Sequence, residues 1–133
     1  MTRWICSLAA VAIISGGVLY GHHSIAAVYD SNRQASLEGV ITQFQLINPH
    51  PLLWIDVTDK NGQTERWRLE MDNRSELVAV GVTAETLKPG DRVRVKGSLG
   101  RSQPQAMYLL RLDRPSDGFW YEQVGSSPKI RNR

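Results

Sequence analysis

The stretch LLWIDVTDKNGQTERWRLEM, residues 52–71, decides the fold that this sequence predicts. Residues 52–59 and residues 64–71 each alternate apolar with other side chains, which is typical of a half-buried β-strand. The sequence KNGQ at 60–63 between them contains Asn-Gly, a strong signal for a β-hairpin. The residues that share the apolar face are Leu53, Ile55 and Val57 in the first strand and Trp67, Leu69 and Met71 in the second.

Three further segments have the composition of strands. Residues 35–47 are rich in β-branched and aromatic side chains, and the internal Gly39 predicts a bend or bulge at that point. Residues 91–99 alternate, and residues 106–114 form the last predicted strand. The inward positions of the fourth strand are Val93, Val95 and Leu99, and its outward positions are Arg92, Arg94 and Lys96.

The spacing of apolar residues no longer alternates between the third and fourth predicted strands. Asn73 and Glu76 have the spacing of a capping box, and Gly81 is a natural C-terminal cap, so a short helix is predicted over 74–81. The sequence Lys88-Pro89-Gly90-Asp91 then predicts a turn.

Three strands, a helix and two strands are the order of a small all-β, five-stranded, OB-like Greek-key barrel, expected over residues 35–114. An open β-sandwich with a stray helix is the alternative. In the barrel, Trp67, Val93, Val95 and Leu110 should be largely buried.

The two ends of the chain differ from this domain in composition. Residues 1–21 combine one early positive charge with an uncharged run too short to span a bilayer comfortably, so a signal peptide is expected, with no stable membrane span after cleavage. Cleavage after Gly21 makes His22 the first mature residue and places the protein in the periplasm or outside the cell. Residues 22–34 are expected to be an N-terminal arm, and residues 115–133, rich in Ser, Pro, Gly and charges, a flexible tail.

Composition excludes several classes of site. Cys6, the only cysteine, falls in the expected signal peptide, so disulfide frameworks, thiolate zinc sites and cysteine nucleophiles are excluded from the mature chain. Loss of Arg3 leaves 15 basic against 13 acidic residues, a balance that gives no reason to expect nucleic acid as a partner. No Ser-His-Asp spacing, phosphate loop or HExxH is present, so the chain is not expected to be an enzyme.

The three histidines are gathered in two places, and both suggest a metal ion. A mature N-terminal His22 offers its α-amine and its imidazole to one ion, and His50 in INPHPLL offers a second imidazole from a loop stiffened by two prolines. Such a nitrogen set, a histidine brace, suits Cu(II). His23 is expected to be a spare ligand, and Met71 and Met107 are expected in the core rather than on copper. A polar arm and a loop held by hydrogen bonds are the alternative interpretation of the histidines.

Other side chains predict a surface for a ligand or a protein partner. Tyr29, Asp30, Asn48 and the outward-facing Trp54 are candidates for it, although Tyr29 could instead pack on the barrel. The alternative function is therefore a metal-free adaptor that docks onto an envelope protein through Trp54 and the basic strand faces. Those faces, which could also be merely solvated, carry Arg66, Arg68, Arg92, Arg94 and Lys96.

Several short motifs together resemble one family of small exported bacterial proteins, the domain of unknown function family 6152. They are HHS followed by YD, LEGVIT, NPH, the Gly62 to Trp67 spacing, LKPGDRVRVKG and Asp117-Gly118, and they cover roughly residues 22 to 120. The resemblance implies export and a β-rich domain, and it carries no established activity. Relatives typically have an alanine-rich cleavage site before HHS, where this chain has LYG.

Overall fold

The computed structural model of the protein describes residues 24–125 and 127–131, and the predicted signal peptide lies outside them. Within these residues the chain is all-β, as predicted, with seven strands and two short helices. No helix in the described ranges has the length and hydropathy needed to cross a membrane. The elements in chain order are α1 (Ile25–Val28), β1 (Tyr29–Gln45), β2 (Leu52–Thr58), β3 (Thr64–Glu70), α2 (Arg74–Ala79), β4 (Arg92–Gly100), β5 (Ala106–Arg114), β6 (Phe119–Val124) and β7 (Ser127–Arg131).

The strands form one sheet in the order β3-β2-β1-β4-β5-β6-β7. These neighbours are all antiparallel. In addition, β3 pairs with the start of β5 in parallel, with Arg68 opposite Ala106 and Glu70 opposite Tyr108. Each of the first five strands therefore has a hydrogen-bonded neighbour on both sides.

The hairpin predicted at residues 52–71 is confirmed. Its strands pair in register from Leu52 opposite Glu70 to Thr58 opposite Thr64. Asp59 closes the turn, because its Oδ1 accepts the backbone N–H of Asn61 at 2.8 Å and that of Gln63 at 2.9 Å.

The predicted helix is also confirmed, but its capping is only partly as expected. Gly81 has φ +102°, and the N–H groups of Gly81 and Val82 donate to the last free carbonyls, those of Val78 and Leu77, at 3.0 Å each. Asn73 occupies the N-cap, yet its side chain makes no capping hydrogen bond. The reciprocal capping box therefore does not form as predicted, and the Glu76 carboxyl interacts with the side chains of both Asp72 and Asn73.

The first strand is longer than predicted, so the expected arm over 22–34 is corrected where the structure describes it. Residues 29–34 belong to β1, which pairs with β4 from Tyr29 opposite Gly100 onward. The bulge also lies elsewhere, since the register with β2 shifts between Ile41 and Gln43. Gly39 instead allows β1 and β2 to lie close together, because a Cβ at this position would be 2.6 Å from the Asp56 carbonyl oxygen.

The prediction of a flexible tail over 115–133 is wrong for its described residues, and five strands was an undercount. Strands β6 and β7 form a hairpin on β5, with Leu112 opposite Tyr121 and Tyr121 opposite Ile130. Phe119 and Tyr121 are buried in the main core. These two aromatic side chains hold the segment on the core, although its Ser-, Pro- and Gly-rich composition predicts a flexible tail.

Part of the predicted list of buried residues is confirmed by the main core. Val93, Val95, Met71 and Met107 are buried in it together with the inward residues of β2 and β3. Trp67 is only half-buried, because its indole borders an open cavity of about 190 Å³.

Leu110, predicted to be largely buried, is likewise only half-buried. It is the extra residue where the register between β4 and β5 shifts. It packs in a second cluster with Ala106, Tyr108, Tyr29 and helix α1.

Candidate functional site

His50 lies in the loop between β1 and β2, and one of its ring nitrogens is already bonded. Its Nδ1 is 3.0 Å from the carbonyl oxygen of Met71. Because a carbonyl only accepts hydrogen bonds, Nδ1 must carry the proton, and neutral imidazole then has its lone pair on Nε2. A ring N–H donated to a backbone carbonyl is the usual support of a metal-binding histidine.

The loop that carries His50 is tied to the start of α2 by backbone hydrogen bonds. Met71 N–H donates to the Pro51 carbonyl at 3.0 Å, and Arg74 N–H donates to the Pro49 carbonyl at 2.9 Å. The Arg74 guanidinium adds a bond to the Leu46 carbonyl at 3.0 Å. These bonds fix the loop beyond the restriction that its prolines impose, so the imidazole has a defined position.

Beside this loop, Asp72 and Glu76 form what we call the carboxyl pair. Asp72 is 7% exposed, and its Oδ1 accepts the N–H of Asn73 at 2.7 Å. Its Oδ2 and the Oε2 of Glu76 are buried without a hydrogen-bond partner. The pKa of Glu76 is raised, first by a hydrogen bond to Asp72 and then by the charge of Asp72, while the charge of His50 lowers it. Two adjacent carboxyl groups resist joint ionisation, which is why the neighbouring Asp72 raises the pKa of Glu76.

Two tyrosines, Tyr29 and Tyr108, lie against each other near Glu70. Tyr29 donates its hydroxyl to Glu70 Oε2 at 2.7 Å, and its ring centroid is 5.8 Å from that of Tyr108. Burial raises the pKa of both phenols. The charges of Asp72, Glu70 and Glu76 raise the pKa of Tyr108 further, so this phenol lies close to the carboxyl pair.

Helix α1 covers these tyrosines. Ile25 and Val28 pack against the cluster that contains Tyr108. Arg101 fastens the helix from the other side, donating its N–H to the Val28 carbonyl at 2.8 Å and its guanidinium to the Ala26 carbonyl at 3.0 Å. The described chain therefore begins against the cluster of Tyr29 and Tyr108, of which Tyr29 bonds Glu70.

The predicted metal ligands are only partly within the described chain. His50 is described, whereas His22 and His23 precede residue 24 and lie outside it. In residues 24–125 and 127–131, no three His, Cys, Asp or Glu side chains are grouped closely enough to hold a metal ion as they stand.

The residues predicted to form a ligand or partner surface are not gathered in one place. Tyr29 is 1% exposed, so the expectation that it contacts a partner is corrected, because its ring is covered by the second cluster. Asp30 pairs with Arg101 at 3.4 Å. Asn48 is exposed beside His50, and Trp54 is half-buried on β2 opposite Arg68.

Two of the basic side chains on the strand faces form ion pairs with acidic neighbours. Arg66 bonds Asp56 at 3.0 Å, and Arg94 lies 3.5 Å from Glu38. An open groove of about 490 Å³ between β1, β4 and β5 has the same mixture of charges. It is lined by Glu38, Arg94, Lys96, Arg111 and Asp113 among others.

Sequence reasoning missed the carboxyl pair. Glu76 was assigned to a capping box, and Asp72 was not considered. The available signal was their position on either side of the N-cap, with Asp72 just before Asn73 and Glu76 in the first turn of α2. Nothing in the sequence shows that both would face the loop of His50.

Comparison with known proteins identifies the family. No curated protein matches the sequence. The sequence model of the family of unknown function DUF6152 matches residues 10–107, which is more than half of the 133 residues. This protein therefore belongs to the DUF6152 family.

Proposed function

We propose that this protein is a small exported binding module, periplasmic or secreted, that binds a divalent metal ion. His50 supplies one imidazole, and a mature N-terminal His22 supplies an imidazole and an α-amine. Copper is the expected ion, because a set of nitrogen ligands suits Cu(II) and copper has the highest affinity of the common divalent metals.

The observation that carries this proposal is the bond between His50 Nδ1 and the Met71 carbonyl at 3.0 Å. It orients the ring and leaves Nε2 as the nitrogen with the lone pair. The side chain is half-buried, so it is both held and accessible.

The position of α1 supports a contribution from the N-terminus. Ser24 directly precedes a helix that packs on Tyr108, whose pKa responds to the charges of the carboxyl pair. Only one residue separates His22 from Ser24, and each residue spans at most about 3.5 Å. The proposal requires this short arm to bring the mature N-terminus to His50.

The architecture that we propose for this module is an OB-like barrel. The parallel pairing of β3 with β5 supports it, since that pairing joins the two outer strands of the first five. In such barrels the loop after the first strand contributes to the binding surface, which agrees with the position of His50.

The first experiment is intact-mass measurement of the exported protein with and without one equivalent of Cu(II). We expect a chain that begins at His22 and gains the mass of one copper ion. A mature chain that retains residues 1–21, or one that starts after His23, would contradict the N-terminal part of the proposal.

Variants then test each ligand by calorimetric titration with Cu(II). His50→Ala and one extra residue ahead of His22 should each weaken binding by a factor on the order of 10 to 100 or more, because each removes or displaces a nitrogen ligand. His23→Ala should have a smaller effect and serves as the matched control. Unchanged affinity of His50→Ala would reject the proposal.

A second candidate function is a metal-free adaptor that docks onto an envelope protein. The observation that favours it is Trp54, a half-exposed indole on β2 opposite Arg68. Aromatic and arginine side chains are the common anchors of protein interfaces. In this case Trp54→Ala would abolish retention of one envelope protein, and His50→Ala would alter neither that retention nor the metal content.

A further inference from the structure

A cavity at the start of β5 combines apolar walls with hydrogen-bond donors. Its volume is about 190 Å³, and its lining comes from β1, β3, β4, β5 and the loop that joins β4 to β5. The apolar walls include Trp67, Leu99 and Ala106. The donors are on Arg33 and Gln103, which are exposed and therefore lie at the open side of the cavity.

Arg33 gives this cavity a positive charge that the described chain does not neutralise. The register of β1 with β4 passes from Asp30 directly to Gln34, so residues 31–33 have no partner in β4. In the described residues, Arg33 forms no ion pair, and no acidic side chain lines the cavity. Its guanidinium is therefore available to an anion, and its planar set of donors fits a carboxylate.

Gln103 adds a neutral donor that Arg68 orients. The Arg68 guanidinium donates to Gln103 Oε1 at 2.7 Å. A guanidinium has donors only, so the atom that faces it must be the amide oxygen. The amide nitrogen Nε2, with its two N–H groups, is then left to donate elsewhere.

The loop beside the cavity is held in an unfavourable backbone conformation. Gln105 has φ +47°, a left-handed conformation that residues other than glycine rarely adopt. Its carbonyl accepts the Arg68 N–H at 2.9 Å, so β3 holds this loop in place. Strained backbone of this kind is concentrated at functional sites, where it positions groups before a ligand arrives.

Trp67 is the aromatic wall of the cavity. Its place on the apolar face of the hairpin predicts burial, yet the indole is only half-buried because it borders the cavity. Aromatic rings pack favourably against one another in offset or edge-to-face arrangements. A protein cavity of about 150 Å³ is large enough for benzene, so about 190 Å³ has room for one six-membered ring with a small substituent.

We propose that this cavity binds a small organic carboxylate that carries one aromatic ring. The ring packs against Trp67, and the carboxylate accepts hydrogen bonds from the Arg33 guanidinium and from Gln103 Nε2. This site shares no residue with the proposed metal site, so either can exist without the other.

NMR titration of the mature full chain with benzoate tests this inference. We expect the indole Nε1–H signal of Trp67, assigned with Trp67→Phe, to shift and to saturate at benzoate concentrations on the order of 1–10 mM, as suits so small a ligand. The signals of Trp54 and Trp120, which do not line the cavity, are internal controls. Benzamide lacks the charge and acetate lacks the ring, so each should bind on the order of 10-fold more weakly than benzoate.

A matched pair of variants tests the cation. Arg33→Gln should weaken benzoate binding on the order of 10-fold or more and remove the preference for benzoate over benzamide. Arg92→Gln is the control, because Arg92 is also exposed and does not line the cavity. It should leave both affinities unchanged. Because both arginines are exposed, both variants should fold, and their NMR spectra verify this.

Four results would overturn the inference. They are a Trp67 signal that does not shift, shifts confined to Trp54 or Trp120, equal binding of benzoate and either benzamide or acetate, and wild-type affinity of Arg33→Gln. None of them bears on the metal proposal, since His50 does not line the cavity.

Discussion

Gly97 is a residue of β4 at which the backbone of β5 comes very close. A Cβ at this position would lie 2.2 Å from the Tyr108 carbonyl oxygen and 2.4 Å from Met107 Cγ. The first of these atoms belongs to the backbone of β5, so it cannot move without disturbing the pairing of β4 with β5.

We expect Gly97→Ala to destabilise the domain by about 1–3 kcal/mol or more, the usual cost of overpacking. Urea denaturation followed by tryptophan fluorescence measures this change. Ser36→Ala, at an exposed position of β1, is the control and should have little effect. A stability of Gly97→Ala equal to that of wild type would show that β4 and β5 are not so close.

Asp117 should make stability depend on acid pH. The Arg114 guanidinium donates to both carboxylate oxygens at 3.0 and 2.8 Å, and the Phe119 N–H donates to one of them at 3.0 Å. These bonds lower the pKa of Asp117 below its usual value. A carboxyl whose folded pKa lies below its unfolded value of about 3.9 stabilises the fold above that pH and loses the contribution as pH falls through the folded pKa.

Asp117→Asn should therefore lower Tm more at pH 6 than near pH 2. Thermal unfolding at both pH values measures this, with Glu65→Gln on the exposed part of β3 as the control. A difference in Tm between wild type and Asp117→Asn that is the same at both pH values would contradict the assigned cause.

At the scale of elements, the hairpin of β6 and β7 is part of the domain. Phe119 is 2% exposed in the main core, and Arg114 at the end of β5 lies over its ring at 4.9 Å. Phe119→Ala should cost about 3–5 kcal/mol, since it deletes a large buried ring. Val124→Ala in the same strand should change stability by less than about 0.5 kcal/mol, because Val124 is 49% exposed. Equal effects of the two substitutions in urea denaturation would mean that the hairpin is not packed on the core.

At the scale of the whole molecule, the pairing of β3 with β5 decides whether β3 is an edge strand of the sheet. Leu69 lies opposite Leu53 on one side and opposite Met107 on the other. Amide hydrogens in strands with two neighbours exchange only through opening of large units.

We therefore expect the amides of residues 68–70 to exchange as slowly as those in the middle of β1. NMR-detected hydrogen exchange of the mature domain measures both sets in one experiment. Fast exchange of β3 alongside slow exchange of β1 would show that β3 is an edge strand.

Local sequence determined much of the fold. The alternation at 52–71 with the Asn-Gly turn, the valines of β4 and the segment of β5 were sufficient to predict those strands, because side-chain period and turn chemistry are local. Gly81 was sufficient to end α2, since a left-handed residue is a local requirement. The family could also be recognised from short motifs, and it is confirmed.

Contacts between distant segments decided the rest. Tyr29 is buried because α1 and Tyr108 cover it. Strands β6 and β7 join the sheet because Phe119 and Tyr121 pack into a core that the earlier strands form. Both events join residues far apart in the chain, so no local pattern reports them. The same is true of the candidate site. His50 was predicted from its loop, whereas the carboxyl pair exists only because the fold places the start of α2 against that loop, where Met71 and Arg74 bond to it.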